Sequence, residues 1–158
     1  MKIDAYYSCV THGAGEITQM SAGAFVLLAS DGCDVRKRTM AFGLNSSDPI
    51  LSEIMTIKLI LSSISPTFRK KRVTLYSNNE MLMLTVSKFG NSYAHEPTIH
   101  IDAFRRCRKI ADLFTDLYIS GVSETSPHVI EAMNLANGVA TTQKACDTGT
   151  SEPNESGE

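Results

Sequence analysis

At 158 residues, with 42% hydrophobic and 20% charged residues, the chain has the size and composition of one globular domain able to bury a core without disulfides or metals. No apolar run reaches the ~18–20 residues of a membrane span. No signal-peptide stretch follows Met1-Lys2, so the expected setting is cytoplasmic, with no membrane partner. The formal charge of −2 is uneven, with residues 141–158 at −3 and residues 1–140 at +1, a balance that neither demands nor excludes nucleic acid.

Lys2 to Val10 alternates loosely and predicts a strand. A glycine-containing loop spans Thr11 to Ser21. Ala22 to Ala29 is nearly continuous apolar sequence, suited to a strand covered on both faces. Asp31-Gly32 signals a hairpin turn into a third strand, Arg36 to Leu44. Asp48 before Pro49 has the form of an N-cap followed by an N1 proline. The helix it opens, Pro49 to about Ser63, carries Ile50, Ile54, Ile57, Leu61 and Ile64 on one stripe, and Pro66 ends it.

A fourth strand runs from Val73 to Ser77, a short helix from Asn79 to Lys88 closed by Gly90, and a loop from Asn91 to Thr98. Ile101 to Thr115 predicts a long helix with Phe104, Cys107, Ala111 and Phe114 inward. Asp116 to Val122 is a fifth strand, and the last helix runs from about Pro127 to Ala140. The remaining tail, 141–158, is acidic and lacks apolar residues to pack, so disorder is expected there. The order β-β-β-α-β-α-α-β-α implies an α/β domain over 1–140, a mixed five-stranded sheet flanked by helices.

The four cysteines, Cys9, Cys33, Cys107 and Cys146, have no C-x-x-C spacing and read as free thiols. His12, His95, His100 and His128 show no ligand spacing. Met81 and Met83 suit core gaps, and of Tyr6 and Tyr7 one is expected to pack inward. Two basic clusters, Arg69-Lys70-Lys71-Arg72 and Arg105-Arg106-x-Arg108-Lys109, are suited to neutralising phosphates. Each also has a bland reading, as a solubilising turn and a solvated helix face.

This order, with several local matches, resembles the ribonuclease H-like family over about residues 1–140. The matches are the glycine loop and the strand Gly23 to Leu28, and the glutamate within Ile50-Leu51-Ser52-Glu53-Ile54. They continue with the strand end Tyr76-Ser77-Asn78-Asn79-Glu80 and the helix segment Ala132-Met133-Asn134-Leu135-Ala136. In that family three aspartates and a glutamate hold two magnesium ions for phosphodiester cleavage.

The resemblance places the glutamate on Glu53, the first-strand aspartate on Tyr6 or Tyr7, the fourth-strand aspartate on Asn78 and the last on Asn134 or Met133. Three of the four positions lack a carboxylate. A neutral amide does not offset the charge of two divalent ions, and tyrosine stays protonated at neutral pH. No cofactor or metal is therefore expected. If the chain is active, Mg2+ or Mn2+ would sit on Asp4 and Glu53, with Glu80 and Glu131 reaching in. Asp4 shares a strand face with Tyr6, two residues on. His128 occupies the loop where active relatives often keep a histidine, and without the carboxylates it reads as an exposed loop residue.

Three functional readings follow. The first is a catalytically degenerate module that binds RNA, DNA or a hybrid, as part of a larger complex. The second is a structural subunit that uses the fold as a scaffold for a protein partner. The third is a divalent-metal-dependent nuclease acting on RNA–DNA hybrids with shifted carboxylates.

Overall fold

The computed structural model of the chain describes residues 1–12, 20–44, 46, 48–78 and 98–149, the last nine by their backbone. The strands are β1 (Lys2–His12), β2 (Met20–Asp31), β3 (Asp34–Leu44), β4 (Arg72–Ser77) and β5 (Asp116–Gly121). The helices are α1 (Pro49–Ser63), α2 (Thr98–Ala111) and α3 (Pro127–Gly149), with a 3-10 turn at Pro66–Lys70. The expected short helix 79–88 and the loop 91–97 lie outside the described residues.

The strands form one mixed sheet in the order β3-β2-β1-β4-β5. β1, β2 and β3 are an antiparallel meander, and β4 and β5 join parallel to β1. The meander turns where the sequence signals it: Asp31 pairs with Asp34, and Gly32 takes φ +63°, a left-handed conformation open to glycine at no steric cost.

Strand alternation sorts the core into two layers. On one face Ile3, Ala5 and Tyr7 of β1, Phe25 and Leu27 of β2, and Val73 and Leu75 of β4 meet α1 and α2. The inner face of α1 is Ile54, Ile57, Ile60, Leu61 and Ile64, while Ile50 is exposed at the helix start. α2 contributes Phe104, Cys107 and Ala111, and Phe114 follows it. On the other face α3 lays Ala132, Ala136 and Ala140 on Ala22, Ala24 and Val26 of β2. Small side chains on both surfaces let helix and sheet approach closely.

Two boundaries differ from expectation. α2 starts at Thr98, three residues early, and ends at Ala111, with a turn before Phe114. α3 continues to Gly149, past the expected end near Ala140. Residues 141–149 lack the apolar stripe that announces a helix and hold three threonines, an aspartate and a glycine, but no proline interrupts propagation from the preceding turns.

Candidate functional site

β1 and β4 run side by side with Tyr6 opposite Tyr76, so Tyr7 and Ser77 lie one step further along. Both point to the α1 face, at the carboxyl end of β4. Asp48 caps α1 there, its Oδ1 accepting hydrogen bonds from the Ile50 amide at 2.9 Å and the Leu51 amide at 3.2 Å. Glu53 follows in the next turn. The Tyr7 hydroxyl donates to Glu53 Oε1 at 2.7 Å and lies 2.8 Å from Ser77 Oγ.

The close approach of α1 depends on Gly23, opposite Cys9 in β2. A Cβ on Gly23 would meet Thr56 Oγ1 at 2.5 Å and the Phe42 ring at 2.7 Å. Thr56 donates to the Ser52 carbonyl and hydrogen-bonds the Cys9 thiol.

Burial raises the Tyr7 pKa well above its ordinary value, and the neighbouring Glu53 carboxylate raises it further, against a smaller opposing effect of the Ser77 hydrogen bond. Tyr7 is therefore a neutral donor rather than an anionic ligand. Burial, assisted by Glu53, likewise pushes the Cys9 thiol up to about 11 despite its Thr56 hydrogen bond. Magnesium prefers hard, charged oxygens. One carboxylate flanked by two neutral hydroxyls does not match the donor set that a pair of divalent ions requires. Among the described residues no group of three or more His, Cys, Asp and Glu is placed to hold a metal.

No family model and no curated protein matches the chain. Solved structures do. LC9-RNase H1, a type 1 RNase H with the type 2 active-site motif, has a TM-score of 0.72 at 10% identity, over 90% of this chain and 73% of that one. RNase H1 from the halophilic archaeon Halobacterium salinarum has a TM-score of 0.61 at 16% identity, over 89% of this chain and 96% of that one.

The chain has the ribonuclease H-like fold. The same fold is found within the foamy viral protease-reverse transcriptase, solved in complex with RNA/DNA hybrid. There the TM-score is 0.60 at 16% identity, over 89% of this chain and 19% of that one.

Within the ribonuclease H-like fold, the residues anticipated from sequence separate into two groups. Tyr7, rather than Tyr6, meets Glu53. The fourth-strand residue beside them is Ser77, buried in the alternating series Val73, Leu75, Ser77, whereas Asn78 is past the strand and exposed. Asp4 is nearly buried but on the opposite sheet face, with Tyr6, so it does not join Glu53 as a metal pair. Its carboxylate lies 3.6 Å from Lys2 Nζ. Asn134 and Met133 are exposed, Asn134 on the side of α3 opposite the alanine stripe. Glu131 pairs with Lys37 at 2.7 Å, and Glu80 lies outside the described residues.

On the α3 face, Tyr6 stacks on Tyr76 at 4.6 Å between centroids and 6° between planes, and His128 lies 4.8 Å from Tyr6. His128 is thus half-buried in α3 against a ring, not an exposed loop residue. Among the described residues, His100 has a carboxylate partner that spacing did not reveal: its Nε2 lies 2.6 Å from Asp48 Oδ2. Partial burial pushes the Asp48 carboxyl up, but hydrogen bonds from His100 and the Leu51 and Ile50 amides outweigh it and hold the pKa below its ordinary value.

The basic clusters lie apart from Tyr7 and Glu53. Arg69 to Lys71 precede β4 and Arg72 opens it, while Ser77 ends it, about five residues or roughly 16 Å along the strand. Arg69 is half-buried, with its guanidinium 5.9 Å from the Phe114 ring centroid, and Arg72 lies 4.6 Å over Tyr118. Lys70 and Lys71 are exposed. On α2, Arg105 and Arg108 face Asp102 and Asp112 at 3.9 and 3.7 Å, and Arg106 and Lys109 are exposed. The sequence also holds a third cluster, three consecutive cations Arg36-Lys37-Arg38, on the exposed part of the edge strand β3.

Among the described residues, no helix is long and apolar enough to cross a membrane.

Proposed function

We propose that this is a nucleic-acid-binding ribonuclease H-like module whose two-metal chemistry has been lost. The observation that carries the reading is the Tyr7–Glu53–Ser77 cluster. A buried neutral phenol satisfies the one remaining carboxylate where the resemblance puts a metal-binding aspartate. Binding then rests on cationic side chains, with Lys70, Lys71, Arg72, Arg105, Arg106 and Lys109 the exposed candidates. RNA, DNA or an RNA–DNA hybrid is the partner class, and the setting is a larger, cytoplasmic complex.

The test is a labelled RNA–DNA hybrid incubated with Mg2+ or Mn2+ and wild-type protein or Glu53→Gln, followed by a salt-titrated binding assay. The expected result is no cleavage, with binding that needs no divalent ion. Six or more phosphate contacts would weaken binding about 10³-fold or more between 50 and 200 mM salt. Cleavage that disappears in Glu53→Gln would overturn the loss of chemistry and establish a metal-dependent nuclease. Absence of any affinity at physiological salt would overturn nucleic-acid binding and leave the fold as a protein-interaction scaffold.

A further inference from the structure

At the end of the sheet away from Tyr7, a cavity of about 180 Å³ opens between the start of β1, the edge strand β3 and the end of α1. Its floor is Ile3, Leu27 and Ala29, and its far wall is Ile64 with Phe68. None of these side chains offers a hydrogen bond. Ser63 and the exposed Ser65 also line it, and the Ser63 hydroxyl donates to the Ile60 carbonyl at 2.7 Å.

The near wall has the opposite chemistry. In the β2–β3 register Arg38 stands beside Leu27 and Arg36 beside Ala29, so both guanidinium-bearing side chains leave the strand on the cavity's face. Lys37, between them, leaves on the other face and is used there in its ion pair with Glu131. Among the described residues neither Arg36 nor Arg38 makes an ion pair. Exposed charge on an edge strand protects it from pairing with other strands. That role requires no apolar cavity behind two cations of the same strand face.

We infer that this cavity is a binding site for a small anionic amphiphile, with its apolar body on Ile3, Leu27 and Phe68 and its carboxylate on Arg36 and Arg38. The volume suits one ring or a short acyl chain, since a cavity of about 150 Å³ accommodates benzene. Guanidinium groups match carboxylate and phosphate geometry, often in bidentate pairs. The polarity also sets the orientation. The carboxyl end of α1 carries partial negative charge, so an anionic head is repelled from that wall and drawn to β3. The site is independent of Tyr7, Glu53 and the clusters proposed to meet nucleic acid.

Sodium octanoate is the probe, titrated into the full chain while methyl resonances of Ile3, Leu27 and Ile64 are followed by NMR. Octylammonium supplies the same body with the wrong charge, and acetate the same head without a body. The expected result is saturable one-to-one shifts at those methyls with octanoate alone. Arg36→Gln/Arg38→Gln, a surface change that leaves the core untouched, should weaken octanoate at least tenfold. Ala29→Trp, with folding checked by circular dichroism, should abolish the response by filling the cavity. Absence of saturable shifts, equal shifts with octylammonium or acetate, or unchanged affinity in Arg36→Gln/Arg38→Gln would each overturn the site.

Discussion

The Tyr7 hydroxyl, on a residue only 4% exposed, donates to Glu53 Oε1 across 2.7 Å, so a strand residue and a helix residue 46 positions apart share one part-buried polar contact. The contact also ties in Ser77, making the junction of β1, β4 and α1 a small hydrogen-bonded network inside an otherwise apolar layer. Such a network stabilises when every member is satisfied and costs most when one member is removed.

Tyr7→Phe keeps the ring and removes the hydroxyl, leaving Glu53 and Ser77 each short of a partner. The expected destabilisation is about 1–3 kcal/mol, read as a shift in the urea midpoint without a change in m. A double-mutant cycle with Ser77→Ala should show coupling of about 0.5 kcal/mol or more, since the two hydroxyls act in one network. Additive effects would mean that the Tyr7–Ser77 contact is incidental.

The same geometry predicts a gain of function. Tyr7→Asp with Ser77→Asp puts three carboxylates around one point and removes the phenol that occupies it. Mn2+ affinity, measured by calorimetry, should rise at least tenfold over wild type. It should fall again on adding Glu53→Gln, because hard cations are held by the number of charged oxygens around them. Tyr6→Asp, on the opposite sheet face, should gain nothing.

Much of this arrangement was legible from the residues alone, and the failures have a common cause. α1 is bounded by Asp48-Pro49 and Pro66, local signals whose physics does not depend on neighbours, and its observed ends match. The meander and the two later strands follow from periodicity and turn chemistry. The choices among Tyr6 and Tyr7, Ser77 and Asn78, and Asp4 and Glu53 depend on which face each residue takes. A one-residue slip in register reverses every face, and these short runs of similar polarity do not fix it. Arg36 and Arg38 escaped notice because charge on an edge strand looks like solubility until a cavity is seen behind it.

Alkaline pH should weaken the fold through three groups that burial holds protonated. Cys9 and Cys107 have pKa values raised to about 11 and Tyr7 one well above 10, in each case with burial the largest cause. A raised folded-state pKa means that the folded chain binds more protons than the unfolded chain once pH passes the unfolded value. Stability is therefore fully present below about pH 9, declines between about 9 and 11 as the unfolded thiols ionise, and declines further as the tyrosine follows. Each group contributes on the order of 1 kcal/mol per pH unit within its window. Cys107→Ala should flatten the pH dependence of stability between pH 9 and 11, and a slope equal to wild type would contradict the assignment. In the same samples a thiol reagent should modify exposed Cys33 well before Cys9 or Cys107.

Asp48 joins two elements through one carboxylate, capping α1 with Oδ1 and meeting His100 of α2 with Oδ2. Its depressed folded pKa gives stability that is present above the unfolded value and lost as pH falls through the folded one. Asp48→Ala removes cap and bridge together and should cost about 1–2 kcal/mol. Asp48→Asn retains a capping oxygen and should cost less, while abolishing the acid-side loss that belongs to this residue. His100→Gln separates the two contributions, since the cap survives and only the link to α2 is changed. Urea unfolding of the three variants at pH 7 and at about pH 2.5, below the ordinary carboxyl value of 3.8, checks the order. Should Asp48→Asn prove as damaging as Asp48→Ala at pH 7, the contact with His100 rather than the helix cap would be the dominant contribution of this residue.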